Sequence, residues 1–183
     1  VIAAEGLAID RLLHPVIPVE RDAHGLLTAL PRGAGGTRES FVYIETTRAD
    51  ARSRVRLRAA LEAALADVRA AVTDWPKLRS ALAGDADGLR TSEGAALLRW
   101  LHGGMLTQLG HVVRRRDGSQ QGALGICRKG AKELLAPASY KRAFAWFDAK
   151  GKAAAAAAPL IVKANVISQV HRRVPLDLFL VPQ

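Results

Sequence analysis

The stretch Pro159 to Val181, PLIVKANVISQVHRRVPLDLFLV, decides how the end of the chain folds. From Leu160 onward the even positions, Leu160, Val162, Ala164, Val166, Ser168 and Val170, are apolar or small, whereas Lys163, Asn165, Gln169 and His171 stand at odd positions. Successive side chains point to opposite faces of a strand, so a period of two predicts a half-buried strand. Arg172-Arg173-Val174-Pro175 interrupts the alternation, and Leu176 to Val181 then reads as a second short strand, apolar enough for burial on both faces. The two are expected to pair as an antiparallel ribbon that closes a sheet.

Lys163, Asn165, Gln169 and His171 would share one face of the longer strand, with Arg172 beside them. Three readings of this polar stripe stay open. It offers donors and acceptors for a small carboxylate, with Arg172 as a bidentate clamp. It also suits a contact with another domain or subunit, or plain solvent.

Working outward, the composition sets the frame. A chain of 183 residues suits one ordinary domain or two small ones, and 49% hydrophobic residues can fill a real core. No apolar run approaches the roughly 20 residues of a spanning helix, and no charged-then-apolar secretory signal opens the chain. A soluble, cytoplasmic protein without a membrane partner is expected. The sequence starts at Val1 in mid-pattern, which suggests a piece of something longer. Cys127 is the single cysteine, so no disulfide framework and no multi-cysteine metal site can form.

The net charge of +10 is uneven: residues 1–90 hold 13 Lys/Arg against 12 Asp/Glu, and residues 91–183 hold 14 against 5. A basic half can meet an acidic partner surface or nucleic acid. Arg114-Arg115-Arg116 is the longest run, with aromatics only at ordinary core spacing, so a solvated basic face is the expectation and nucleic acid a weaker one.

From the other end, residues 1–10 read as the end of a helix and Leu12 to Arg21 as a strand. Pro15 and Pro18 lack the amide proton of a central ladder, which places that strand at an edge or a bulge. Asp22-Ala23-His24-Gly25 is a turn signal that makes a hairpin with Leu26 to Leu30. Pro31 to Arg38, with Gly33, Gly35 and Gly36, is a loop; it does not run from strand to helix with the spacing of a phosphate cradle. Ser40 to Thr47 is a strand by its β-branched and aromatic content, with both faces expected to be covered. After Asp50, Leu57, Leu61, Leu65, Val68, Val72 and Trp75 recur at steps of three and four, a helix whose apolar stripe should lie on the preceding strands and which should end near Trp75, before Pro76.

Leu78 to Arg90, with Gly84, Asp85, Asp87 and Gly88, reads as a linker. Thr91 or Ser92 would cap a short helix carrying Leu97, Leu98 and Leu101, stopped by Gly103 and Gly104. Met105 to Val113 is a candidate strand, Asp117-Gly118 a turn, and Ala123 to Cys127 the return strand. Ala131 to Phe147 is expected to be helical around a break at Pro137, and Ala153 to Ala158 to be a connector.

No catalytic set assembles from this pattern: the five histidines are dispersed and no two stand at metal-ligand spacing on one helix. His24 reads as a turn residue, His14 as structural or facing an effector, and Cys127 as a core thiol in an apolar strand.

Several of these residues carry a resemblance. Lys163, Ala164, Asn165, Ser168, Val170, His171 and Arg172, followed by Pro175, Leu176, Asp177 and Phe179, resemble the amino-terminal regulatory region of the large-subunit bacterial NAD-specific glutamate dehydrogenases. The segments HPVIPVERDAHGLL and ESFVYIE, then an alanine-rich helix ending in Asp74-Trp75-Pro76, are similar to the first ACT-like region of those enzymes. Leu97, Leu98, Arg99, Trp100 and Leu101, with Leu124, Gly125, Ile126 and Arg128, match the region that follows. The strand between, MLTQLGHVV, departs from the family by lacking aromatics around Leu106, Leu109 and His111.

The resemblance implies an α+β chain. Residues 1–77 would be a partial ACT-like module, of the ferredoxin-like βαββαβ plan without its first strand, and residues 78–91 a linker. Residues 92–183 would be an antiparallel-sheet, PAS-like α+β domain of four strands with helices between them. It further implies a non-catalytic regulatory and assembly fragment of an enzyme that converts L-glutamate to 2-oxoglutarate and ammonium. No cofactor is expected in the fragment, and NAD would belong to the parent enzyme. The implied partners are the remaining domains of the same polypeptide, further copies in a homo-oligomer, and an amino-acid effector. A free-standing small-molecule sensor or protein-interaction module is the alternative.

Overall fold

The computed structural model describes residues 1–33, 35–89, 92–130, 133–150 and 158–182. It is α+β with small antiparallel sheets, and it divides into two compact units, Val1–Leu61 and Glu62–Gln183.

The first unit opens with a single 3-10 turn, Ile2–Glu5, where a helix end was expected. Strands β1 (Ile9–Leu13), β2 (Val16–Arg21), β3 (Leu27–Ala29), β4 (Thr37–Ser40) and β5 (Tyr43–Thr46) follow. The two strands expected at Leu12 to Arg21 and Ser40 to Thr47 are thus each broken, at His14-Pro15 and at Phe41-Val42. The breaks face one another. β1 pairs with β5 and β2 with β4 in one shared register, Leu13 opposite Tyr43 and Val16 opposite Ser40, so the pair is a single ribbon with a bend. The Phe41 N–H donates to the Pro15 carbonyl at 2.9 Å within the bend, and His14 Nε2 is hydrogen-bonded to Ser40 Oγ there.

Against the expectation for its prolines, β2 is the middle strand of β3-β2-β4. The register explains how. The Phe41-to-Pro15 bond makes Ile17/Glu39 and Val19/Thr37 the hydrogen-bonded pairs, so the Pro18 nitrogen points away from β4. On that side β3 reaches only Glu20 and Arg21, and no ladder bond is lost. The β2–β3 hairpin turns as its sequence predicts: Asp22 Oδ1 accepts from the N–H groups of His24 and Leu26, both at 2.9 Å, and Gly25 takes φ 81°. The coverage expected for Ser40 to Thr47 is not found. Val42 and Tyr43 are each 54% exposed, because a ribbon two or three strands wide buries little of either face.

Helix α1 (Ala51–Thr73) is capped by Asp50, whose Oδ1 accepts the Ser53 N–H at 2.7 Å. That bond holds the Asp50 carboxyl below its ordinary range. The helix ends before Pro76 as expected, but its buried residues are Ala64 and Ala71, while Leu65, Val68 and Val72 of the apolar stripe are exposed. The stretch expected to link two domains is instead helix α2 (Trp75–Gly88). Pro76 stands in its first turn, where no amide proton is needed, and Leu78, Leu82 and Ala86 are buried at steps of four. Arg90 and Thr91, and the side chain of Ser92, lie outside the described residues.

Helix α3 (Ser92–Trp100) packs on α2, and Leu82, Ala86, Leu98 and Leu101 form the core of the second unit, with Leu106, Phe179 and Val181 against it. A π-helical turn, Leu101–Met105, replaces the start of the strand expected at Met105, so that β6 spans only Gly110–Arg114. It pairs with β7 (Gln120–Gly125) across the Asp117-Gly118 turn, and the 3-10 turn Ile126–Lys129 follows. Helix α4 (Pro137–Lys150) starts at the proline expected to break it; Ala131 and Lys132 lie outside the described residues, as do residues 153–157 of the expected connector. The final ribbon is β8 (Leu160–Ile167) against β9 (Pro175–Leu180), antiparallel as the period of two predicts. The four strands form two separate two-stranded ribbons, where a single sheet was expected.

Candidate functional site

A cleft of about 1220 Å³ opens in the second unit between β6, α4 and β9. Its polar features are made by strand residues meeting helices. His111 Nε2 lies 3.0 Å from Asp85 Oδ2, with the two side chains only 16% and 11% exposed. The Arg114 guanidinium lies over the Tyr140 ring at 3.9 Å from its centroid, a cation–π stack. Burial raises the Tyr140 phenol above its usual range, against the opposing pull of Arg114.

Arg116 makes a two-pronged pair with Asp148, at 2.8 and 2.6 Å, and approaches the Phe144 ring at 5.1 Å. Tyr140, Phe144 and Asp148 are four residues apart on α4 and thus one above another on its surface. The arginine run is therefore held by identifiable partners: Arg114 and Arg116 by this helix face, and Arg115 by Gln121 at 3.1 Å.

A second constellation fixes the helical junction to the β6–β7 ribbon. Asp74, between α1 and α2, is 3% exposed. Its Oδ2 accepts from the Gly125 N–H at 2.8 Å and from Arg128 Nε at 2.5 Å, and its Oδ1 accepts from Arg128 Nη2 at 2.8 Å. The Arg128 bonds, then the Gly125 bond, hold this carboxyl far below the usual carboxylate range. Lys129 pairs with Asp67, about two helical turns before Asp74, at 3.4 Å. Gly125 itself has φ 58°, and a Cβ there would stand 2.1 Å from the Leu109 carbonyl oxygen, so a side chain at this position is excluded.

The Asp-Trp-Pro step and the Leu-Gly-Ile-Cys-Arg step, read separately in the sequence, thus meet through hydrogen bonds. Residues 1–61 match the glutamate dehydrogenase ACT1 domain. The match ends where the first compact unit ends, and the Asp74 constellation lies beyond it. The amino-terminal part of the chain therefore has the pattern of a glutamate dehydrogenase regulatory region. No curated protein and no solved structure matches the chain.

The residues of the polar stripe are only partly brought together. Odd positions of β8 are exposed, as the alternation requires, and Lys163 and Asn165 share that face. Lys163 Nζ pairs with Asp177 Oδ1, its cross-strand partner, at 2.5 Å. The strand stops at Ile167, however, and Gln169, His171 and Arg172 belong to the connection to β9. Ser168 causes the stop: its hydroxyl donates to the Val170 carbonyl at 2.8 Å and accepts the Val170 N–H at 3.1 Å, local bonds that compete with the ladder. His171 then takes a left-handed conformation, φ 65°.

Cys127 is buried in the 3-10 turn rather than in a strand, and burial pushes its thiol up to about 11. His24 is a turn residue as read. The pairings of Asp74, read at a helix end, and of Asp85, read in a linker, escaped the sequence reading, since neither position gives any sign of partners dozens of residues away. Among the described residues no three His, Cys, Asp or Glu side chains gather as a metal site, and no helix is long and apolar enough to cross a membrane.

Proposed function

We propose that this chain is a non-catalytic regulatory and assembly segment of an NAD-dependent glutamate dehydrogenase, whose parent reaction is the oxidative deamination of L-glutamate to 2-oxoglutarate and ammonium. The match of residues 1–61 to the ACT1 domain carries this reading. NAD would be bound by other parts of the parent polypeptide, in the cytoplasm of a bacterial cell. The second unit supplies the strands and helices of a PAS-like sensor module, and its cleft is roomy enough for a small effector such as an amino acid. The exposed residues Lys163 and Asn165, with Gln169, His171 and Arg172 in the adjoining connection, form a contact to the remaining domains or to another subunit of a homo-oligomer.

Two measurements test this. The native polypeptide containing the segment is purified and weighed, and its NAD-dependent oxidation of glutamate is assayed. A chain far longer than 183 residues with that activity supports the reading, and a long chain without it returns the segment to a free-standing sensor. In the active enzyme, Lys163→Ala combined with His171→Ala should change effector response or subunit assembly with the melting temperature nearly unchanged. A large fall in stability with neither response altered would reduce the stripe to a structural role.

A further inference from the structure

Helix α4 walls one side of the cleft with Tyr140, Ala143, Phe144 and Phe147, yet none of its 14 residues is buried. Helices α2 and α3 are held differently, by the buried side chains of Leu78, Leu82 and Leu98. A helix as short as α4 is marginal in water by itself, so it depends on what it docks against.

Its two ends are fastened unequally. Just before Pro137 the chain is pinned: the Asn165 N–H of β8 donates to the Leu134 carbonyl at 2.8 Å, and Leu135 is 6% exposed. The Ser139 and Tyr140 N–H groups then both donate to the Ala136 carbonyl, which starts the helix. At the far end the fastening is a pair of side chains. Asp148 accepts two hydrogen bonds from Arg116, at 2.8 and 2.6 Å, but the two groups are 55% and 64% exposed, and an ion pair that faces water holds little. Between the ends, Arg116 meets the Phe144 ring and Arg114 the Tyr140 ring, while Arg115 turns to Gln121 instead. An anchored start, an apolar but unburied middle and a solvent-facing clasp are the parts of a hinged element.

Beneath it lies a group that can report the motion. Cys127 is 8% exposed and borders the same cleft. Burial raises the Tyr140 phenol, and Cys127 lies near enough for a thiolate charge to raise it further. The thiol and the helix are therefore close neighbours.

We propose that α4 is a lid on the cleft, hinged at Leu135-Ala136-Pro137 and clasped by Arg114 and Arg116, which opens as a unit while α2, α3 and both ribbons stay folded. Opening bares the apolar walls of the cleft and Cys127 together. The inference goes beyond the enzyme reading and stands on the second unit alone.

Cys127 is the single cysteine of the chain, so a thiol reagent reads the opening directly, and amide hydrogen exchange shows which element moves. Both are measured on the 183-residue chain. The amides from Ala143 to Asp148 should share one opening constant, at least about 100-fold larger than that of the Leu82 and Leu98 amides. Arg116→Gln removes the ion pair and the ring contact, and should raise α4 exchange and Cys127 labelling together by about 3- to 30-fold. Asp148→Asn should raise both by about 2- to 5-fold, and the two changes combined should do no more than Arg116→Gln alone. Arg115→Gln should change neither, and the Leu82 and Leu98 amides should keep their rates in every variant. Helix amides as slow as those of Leu82 and Leu98 overturn the proposal, because α4 would then open only with the whole unit. Cys127 labelling that ignores Arg116→Gln while α4 exchange rises also overturns it, since the moving helix would not cover the cleft. Equal acceleration of all amides, or an effect of Arg115→Gln as large as that of Arg116→Gln, does the same for the clasp. None of these outcomes turns on glutamate oxidation, so a failed lid leaves the enzyme reading standing, and a failed enzyme reading leaves the lid.

Discussion

Asp74 shows how a single residue joins distant parts of the sequence. A buried carboxylate that accepts three hydrogen bonds is stabilised as the anion, so its folded-state pKa lies well below the unfolded value of about 3.9. Its contribution to stability is therefore complete above the ordinary carboxylate range and is lost as pH falls below about 4, where the unfolded chain takes up the proton first. Asp74→Asn should lower the melting temperature by several degrees at pH 7 and flatten the loss of stability between about pH 4 and 2; parallel acid profiles of the two proteins would show that the pair does not carry this effect. The partners lie 51 and 54 residues from Asp74, a separation that leaves no local pattern, so the sequence showed the Asp-Trp-Pro step only as a helix break. Cys127 was legible, since an apolar neighbourhood predicts a buried thiol. With its pKa at about 11, its reaction with a thiol reagent at pH 8 should run at least about 100-fold slower than that of a free cysteine, through the smaller thiolate fraction alone. A rate near that of a free thiol would contradict the burial.

Among the elements, those with a strict short period were readable and those with mixed signals were not. The alternation from Leu160 fixed β8, and the Asp22-to-Gly25 and Asp117-Gly118 turns fixed two hairpins, because each rests on local bonds. Helix α2 was misread since Gly84, Asp85, Asp87 and Gly88 outweighed the four-residue step of Leu78, Leu82 and Ala86. In α1 the length was right and the buried face was wrong. The large apolar residues made the visible stripe, but the face that docks is Ala64, Asp67, Ala71 and Asp74, where small side chains leave room and two carboxylates reach Arg128 and Lys129. The helical reading of α2 has a direct consequence. Leu78 is fully buried, so Leu78→Ala should cost about 2–5 kcal/mol in denaturant unfolding, against almost nothing for a leucine in a solvated linker. Exposed Lys77→Ala in the same turn provides the control, expected within about 0.5 kcal/mol of the parent.

Taken together, the chain combines two features that act in opposite directions on association. Its net charge of +10 makes copies repel, with most of the excess in residues 91–183. Its first unit leaves Leu12 and Leu13 each 53% exposed and Val42 and Tyr43 each 54% exposed along one bent ribbon, an apolar surface of the kind that marks interaction sites. Salt separates the two effects. Raising it from about 0.1 M to about 1 M shortens the Debye length from about 10 Å to about 3 Å, which removes the repulsion and leaves the apolar attraction. Self-association through the ribbon should therefore strengthen with salt, whereas binding of the basic half to an acidic partner or to nucleic acid should weaken steeply. Sedimentation velocity on residues 1–183 over that salt range reads the first trend. Leu12→Lys adds a charge to the face that Leu12 shares with Ile44, its cross-strand neighbour, and should return the chain to its monomer mass of 19.6 kDa at every salt concentration. Association that falls with salt, or that persists in Leu12→Lys, would shift the contact away from the ribbon and onto charged surface, where the exposed Arg172 and Arg173 beside β9 are the next residues to replace.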